Sequence, residues 1–158
     1  MALILSIESA TKNCSVALAA DGEVISLKEL HEEKFSHAEK LHSFILEVMA
    51  SSDRKLAELD AVAVSKGPGS YTGLRIGVSA AKGLCYALEK PLISVPTLES
   101  LAMQIEMTEK GLIVPLLDAR RMEVYSAVYN DHFEEIRETR AEIIEAGSFS
   151  DYLNDNKV

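Results

Sequence analysis

Apolar residues near the start of the chain follow strand periodicity. The segment LILSI at positions 3–7 is almost continuously apolar, which is typical of a strand buried on both faces. Apolar and small or polar residues alternate over 14–20, and a third strand is predicted over 23–30. The Asp21-Gly22 pair between them is a strong signal for a tight hairpin turn. The pattern therefore predicts a three-stranded antiparallel meander.

The next stretch alternates helical and strand patterns. Ser36 and Glu39 form an S-x-x-E capping box, and a helix is predicted over 36–52 with one apolar stripe: Ala38, Leu41, Phe44, Ile45, Val48 and Met49. Short apolar runs at 61–64 and 92–95 predict two strands, with a second helix over 72–88 between them. Thr97 is the predicted cap of a third helix, which carries Leu98, Leu101, Ala102 and Ile105.

The predicted order β-β-β-α-β-α-β defines the fold class. Strands joined through a helix pair in parallel, so the class is α/β with a mixed five-stranded sheet and helices on its faces. This is the actin-like (ribonuclease-H-like) layout, and we assign it to a first domain at 1–98. A second α/β domain at 99–158 is expected to be incomplete; it carries predicted strands at 112–117 and 124–129, a strand starting at Ile143-Ile144 and a short helix near Ser148 and Asp151.

Composition narrows the function classes. The 158 residues carry a net charge of −9, which opposes electrostatic binding of nucleic acid by the chain alone. The two cysteines, Cys14 and Cys85, indicate reduced thiols in the cytoplasm rather than a disulfide framework. No apolar run approaches the length of a membrane span, so no membrane partner is expected.

The most distinctive stretch is the loop Gly67, Pro68, Gly69, Ser70, Tyr71, Thr72 and Gly73. Glycines between a strand and a helix can cradle phosphate. Neither the P-loop nor the dinucleotide spacing is met, since no Lys follows Gly73 and the third glycine comes one residue late. The alternative is a tight strand-to-helix connection with close packing, which the pattern alone favours.

The predicted second helix has two unusual faces. Gly73, Gly77 and Ala81 form a small-residue ridge, which favours close approach of another helix, either within the chain or from a partner. A polar stripe runs beside it, and the only charged residues between Asp60 and Glu89 are the bases Lys66, Arg75 and Lys82. This local positive surplus predicts either a docking surface or a solvated helix face.

Two further sets of residues invite a ligand. His37 and His42 are five residues apart rather than the four that zinc helices use, so no metal site is predicted. Glu8 ends the first strand just before a polar turn with Thr11 and Lys12, and these three are candidate contacts for Mg²⁺ and a nucleotide phosphate. The alternative, which we favour, is a strand-end carboxylate bonded to turn amides.

Together these motifs resemble those of a known family. GPGSYTGLRIG followed by SAAKGL, the opening IESATKNCSVAL, and LDARRMEVY resemble the signatures of the TsaB (YeaZ) family, and the match covers most of the chain. The resemblance implies an actin-like fold and a non-catalytic scaffold that partners TsaD, with TsaE, in making threonylcarbamoyladenosine beside the tRNA anticodon. It also implies that relatives continue beyond residue 158 and return a terminal helix to the first domain.

The resemblance further implies where partners bind. The interface is expected on the first two helices, at Leu41, Phe44, Ile45, Gly73, Leu74, Arg75, Gly77, Val78, Ala81 and Lys82. Without TsaD, a homodimer through the same surface is expected, with no tight tRNA binding. No cofactor of its own is expected; ATP or ADP with Mg²⁺ are the candidates for a ligand shared at the TsaD interface.

Two other functions stay open. An ATPase or small-molecule kinase of the actin-like class would need a glycine-rich adenosine loop in the second lobe, where only Gly111 and Gly147 follow Gly83. A metalloprotease-like glycoprotease would need paired metal-binding histidines, which the histidine spacing disfavours.

Overall fold

The computed structural model describes residues 2–31, 37–107 and 110–153. Contacts divide the chain into two compact units, Met1–Val95 and Pro96–Val158. The predicted domain boundary, between residues 98 and 99, lies three residues after the boundary between these units. That the two domains fold independently stays a prediction. The Ser36 capping box lies outside the described residues.

The first unit is the predicted mixed sheet. Its elements are β1 (Leu3–Glu8), β2 (Asn13–Ala20), β3 (Glu23–His31), α1 (His37–Ser51), a short 3-10 helix (Leu56–Glu58), β4 (Ala61–Gly67), α2 (Tyr71–Leu88) and β5 (Leu92–Pro96). The sheet order is β3-β2-β1-β4-β5, with β1 antiparallel to β2 and parallel to β4. The predicted actin-like fold class is confirmed.

The predicted hairpin between β2 and β3 is also present. Asp21 and Gly22 both have positive φ, at 51° and 89°, as a tight two-residue turn requires. The register of the two strands shifts once, between Leu18 and Ala19.

Both helices of the first unit cover one face of the sheet. Strand β1 alternates buried and half-buried residues, and its buried Leu3, Leu5 and Ile7 join one core cluster with residues of α1 and α2. Helix α1 packs on β2 and β3, and α2 packs on β4 and β1. The two helices also contact each other, so they form a single layer over the sheet.

The second unit contains α3 (Thr97–Ala102), β6 (Leu112–Ile113), β7 (Leu116–Arg120), β8 (Glu123–Asn130), β9 (Glu135–Ile143) and α4 (Ser150–Leu153). Strand β8 pairs antiparallel with β6, β7 and β9. A small core forms beneath α3 from Leu98, Ala102, Ile113, Ala127 and Tyr129.

Three sequence predictions for this unit are wrong in detail. Pro115 interrupts the strand predicted over 112–117, because proline has no amide hydrogen for the ladder. Ile143 ends a strand rather than starting one, since β9 is a mostly exposed, polar strand without clear alternation. Thr97 is the first residue of α3 rather than its cap; Pro96 precedes it, and the buried Thr97 hydroxyl has no partner among the described residues.

Candidate partner-binding site

An open groove of 690 Å³ runs between α1 and α2. The α2 residues Ile76, Ala80 and Leu84 recur every four positions, are half-buried and pack against the core of the first unit. The rest of the lining is exposed: Ala38, His42, Thr72, Arg75, Ser79 and Gly83. The groove thus has an apolar floor and a mostly polar rim, the arrangement that protein interfaces show.

The groove exists because the small-residue ridge of α2 turns inward. A Cβ atom on Gly73 would collide with the carbonyl oxygen of Ser9, and one on Gly77 would collide with the Ser9 hydroxyl. Helix α2 therefore approaches the end of β1 as closely as glycine allows. The neighbouring stripe, with Ile76 and Ala80, is left at the edge of the core.

Part of the predicted interface is therefore wrong. The ridge Gly73, Gly77 and Ala81 is buried, and its two glycines abut the end of a strand rather than a helix. Leu41 and Ile45 are 0% and 3% exposed and belong to the same core. These five residues hold the helix layer on the sheet. The prediction failed for them because small and apolar residues at helical spacing indicate internal packing as readily as they indicate an interface.

The other five predicted residues lie nearer the surface. Phe44, Leu74 and Val78 are half-buried, whereas Arg75 and Lys82 are exposed. Arg75 lines the groove, and its guanidinium carbon lies 5.5 Å from the centre of the Tyr71 ring. Tyr71 and Tyr86 are 75% and 90% exposed, and such surface tyrosines are frequent at interface hot spots.

The floor of the groove was missed by sequence reasoning. Ile76, Ala80 and Leu84 have the same spacing of four as the ridge Gly73, Gly77 and Ala81. Each of them lies one residue before a ridge position or before the continuation of the ridge at residue 85. Both stripes therefore satisfy the same pattern. Only the close contact with Ser9 decides which of them faces inward.

The glycine-rich loop is built as a tight connection between β4 and α2. The amide of Ser70 donates to the carbonyl of Ala10 at 2.6 Å, and its hydroxyl caps the helix by accepting from the Gly73 amide at 3.3 Å. A Cβ on Gly69 would lie 2.7 Å from the Cβ of Ala10. The Gly67–Pro68 peptide bond is cis. The loop is thus packed against the turn that follows β1, as the alternative reading of its sequence predicts.

The carboxylate of Glu8 is occupied by the protein itself. One oxygen accepts from the amide of Ala10 at 2.5 Å, and the other accepts from the hydroxyl of Ser65. The hydroxyl of Thr11 accepts from the Asn13 amide at 3.2 Å. Lys12 is exposed. The bonded strand-end carboxylate that the sequence favours is therefore present, while the nucleotide contact at these residues stays untested.

Other chemistry-bearing groups are dispersed. Among residues 2–31, 37–107 and 110–153, no three His, Cys, Asp or Glu side chains are grouped as a metal site would require. Burial, followed by the charge of Glu8, raises the pKa of the Cys14 thiol, and burial raises that of Cys85 despite a backbone hydrogen bond. In the same described part of the chain, no helix is long and apolar enough to cross a membrane.

Comparison with known proteins places this fold in a class. Residues 26–150 match the family model of TsaD, tRNA N6-adenosine threonylcarbamoyltransferase. The chain is 38% identical over 128 residues to the tRNA threonylcarbamoyladenosine biosynthesis protein TsaB of Escherichia coli. The aligned segment covers 80% of this chain and 54% of that protein. Its structure superposes on YeaZ from Pseudomonas aeruginosa with a TM-score of 0.78 and 27% identity, covering 91% of this chain and 68% of the other.

The fold and the family model, which matches most of the chain, define an actin-like protein related to TsaD. Within that class, the chain belongs to the TsaB (YeaZ) family, which acts in tRNA threonylcarbamoyladenosine biosynthesis. A protein of Zymomonas mobilis named tRNA N6-adenosine threonylcarbamoyltransferase is also similar, at 33% identity over 132 residues, covering 74% of the chain and 36% of that protein. The chain spans about half the length of the TsaB relatives it matches.

Proposed function

We propose that this chain is a non-catalytic partner of TsaD in the synthesis of threonylcarbamoyladenosine beside the tRNA anticodon. The observation that carries the proposal is the α1–α2 groove, which offers an apolar floor and a polar rim on the outer side of the helix layer. Membership of the TsaB family supports the same assignment. TsaE is the proposed third component of the assembly. The proposed location of the assembly is the cytoplasm.

The charge along α2 suits a partner with an acidic surface. No acidic residue occurs from Ala61 to Leu88, while Arg75 and Lys82 are exposed on the helix. In a chain of net charge −9, this helix is a local exception. Complementary charge speeds association and orients the partners. We therefore assign TsaD to the groove, and a second copy of this chain when TsaD is absent.

Substitution of the groove floor tests this proposal. Ile76→Glu should weaken binding to TsaD at least tenfold, because a carboxylate would be desolvated when the groove is covered. Surface plasmon resonance with immobilised TsaD measures the affinity, and circular dichroism checks that the variant is folded. Val24→Glu is the matched control, since Val24 is 62% exposed on β3.

The outcomes separate the parts of the proposal. Equal binding of wild type and Ile76→Glu would show that TsaD does not use the groove. A wild-type chain that binds no TsaD and does not support tRNA modification would refute the proposed function itself. Light scattering of the free chain reports whether a homodimer forms and whether Ile76→Glu dissociates it.

The alternative ATPase function leads to a separate prediction. We expect the pure chain with Mg²⁺ to release no phosphate from ATP, because both carboxylate oxygens of Glu8 and the Thr11 hydroxyl already accept hydrogen bonds. A phosphate-release assay of wild type against Glu8→Gln measures this. Turnover that disappears in Glu8→Gln would favour an enzyme of the actin-like class instead.

A further inference from the structure

The hairpin that joins β7 to β8 has an unusual backbone. Arg120, Arg121 and Met122 have φ angles of 72°, 55° and 63°, so three successive non-glycine residues lie in the left-handed region. Arg120 pairs with Glu123, which leaves Arg121 and Met122 as a two-residue turn. The amide of Arg120 donates to a carboxylate oxygen of Asp118 at 2.7 Å, which supports the irregularity in β7 just before the turn.

This backbone is costly for the residues that occupy it. A Cβ atom disfavours the left-handed region, and tight hairpin turns of this kind prefer Asn-Gly or Asp-Gly. The hairpin between β2 and β3 uses Asp21-Gly22 for the same geometry. Strained backbone of this kind is concentrated at functional sites, where the side chains or their presentation matter.

The side chains at this tip are free to meet a partner. Arg120 and Arg121 are exposed, and Met122 is 73% exposed. Within the described residues, neither guanidinium group forms an ion pair, although Arg54, Arg137 and Arg140 each do. Asp118 is the acidic group nearest in sequence to Arg120, and it is bonded to the backbone instead.

We propose that Arg120 and Arg121 bind phosphodiester groups of RNA in the assembled complex, an inference that rests on the proposed function. A guanidinium group presents paired donors that match phosphate oxygens, and such contacts position RNA without reading its sequence. Residues 101–158 carry twelve acidic and six basic side chains, so the contact is confined to this tip. Two contacts add affinity to a larger assembly without giving the free chain tight tRNA binding.

The test uses the chain co-purified with TsaD and unmodified tRNA, with binding followed by fluorescence anisotropy at increasing NaCl. Arg120→Gln/Arg121→Gln should lower the affinity about tenfold at low salt and reduce the slope of log affinity against log salt by about 1–2, since each lost phosphate contact removes about one unit. Lys55→Gln/Lys110→Gln removes the same charge from two other exposed positions. This control should change the affinity less than twofold.

A second variant separates RNA contact from misfolding. Arg121→Asn/Met122→Gly should suit the left-handed turn better, so its melting temperature should rise by a few degrees while its tRNA affinity falls severalfold. Loss of tRNA affinity together with a lower melting temperature in both tip variants would point to a structural role and overturn the inference.

The remaining outcomes are also decisive. An intact complex with unchanged affinity and salt slope would overturn the inference and leave the proposed function standing. Equal losses in the lysine control would show a general effect of charge and would also overturn it. If the tip variants lose TsaD instead of tRNA, the arginines contact an acidic protein surface and the inference is wrong. A wild-type chain that forms no complex would refute the proposed function, on which the inference depends.

Discussion

Gly73→Ala should lower the free energy of unfolding of the first unit by about 3 kcal/mol, the upper part of the range for overpacking. The added Cβ would overlap the backbone carbonyl oxygen of Ser9, and a backbone atom cannot move aside as the end of a flexible side chain can. Urea denaturation followed by circular dichroism measures the change. An unchanged midpoint would mean that α2 does not lie as close to the end of β1 as the structure shows.

Gly83→Ala is the matched control on the same helix. Gly83 is exposed and a Cβ there would have no neighbour within 4 Å, so the substitution should raise the free energy of unfolding by about 1 kcal/mol through helix propensity. The two glycine-to-alanine substitutions are thus predicted to change the free energy of unfolding in opposite directions. Destabilisation by both substitutions would contradict the open space that the structure shows beside Gly83.

Gly77→Ala should also lower the free energy of unfolding of the first unit, and a double-mutant cycle identifies the contact responsible. Here the collision is with the Ser9 hydroxyl, which is buried and has no hydrogen-bond partner among the described residues. Ser9→Ala should therefore rescue much of the destabilisation of Gly77→Ala but little of that of Gly73→Ala. The difference distinguishes a side-chain contact from a backbone contact.

The first unit could be predicted from the sequence because its patterns are strong and local. The apolar run of β1, the Asp21-Gly22 turn and the two helical stripes all contribute to one core, so local and global preferences agree. The weaker strand β9 has mostly exposed residues and no alternation to reveal it. Its position depends on pairing with β8, which no local pattern contains.

The candidate interface could be predicted only to the level of the two helices. The spacing on α2 identifies a small-residue ridge and a parallel apolar stripe but does not show which one is buried. That choice depends on Ser9, which is 64 positions before Gly73 in the chain, and no spacing along α2 shows where Ser9 lies. The tip at Arg120 and Arg121 falls between the strands predicted at 112–117 and 124–129, but its left-handed backbone is not visible in the sequence.

The second unit contains a buried polar cluster on which its stability should depend. Arg137 donates to Glu142 at 2.9 Å and to the Ser126 hydroxyl at 2.5 Å, and Ser126 donates to Glu142. The side chains of Arg137 and Glu142 are only 10% and 20% exposed. The guanidinium carbon of Arg137 also lies 5.2 Å from the centre of the Phe149 ring and 5.8 Å from that of Tyr152.

Arg137→Met should therefore lower the free energy of unfolding of the second unit by about 2–3 kcal/mol, because the mostly buried Glu142 carboxylate loses its closer charge partner and keeps only the exposed Arg140. Methionine keeps much of the apolar stem, so the loss reports mainly on the charge. Arg140→Met is the control, since Arg140 is 58% exposed and lies farther from Glu142, at 3.4 Å. Arg140→Met should lower the free energy of unfolding by less than about 1 kcal/mol. Near-ultraviolet circular dichroism of the tyrosines measures both.

The same cluster makes the stability of the second unit depend on pH. Burial by itself would raise the pKa of Glu142, but the hydrogen bonds from Ser126 and Arg137 and the charges of Arg137 and Arg140 hold it below its ordinary value of 4.5. Because the folded pKa is the lower one, Glu142 contributes its full stabilisation above about pH 4.5, the pKa of an ordinary glutamate. That contribution is lost as the pH falls through the folded pKa. Urea midpoints of Glu142→Gln should therefore vary less with pH below 4.5 than those of the wild type, and parallel curves would contradict the assigned cluster.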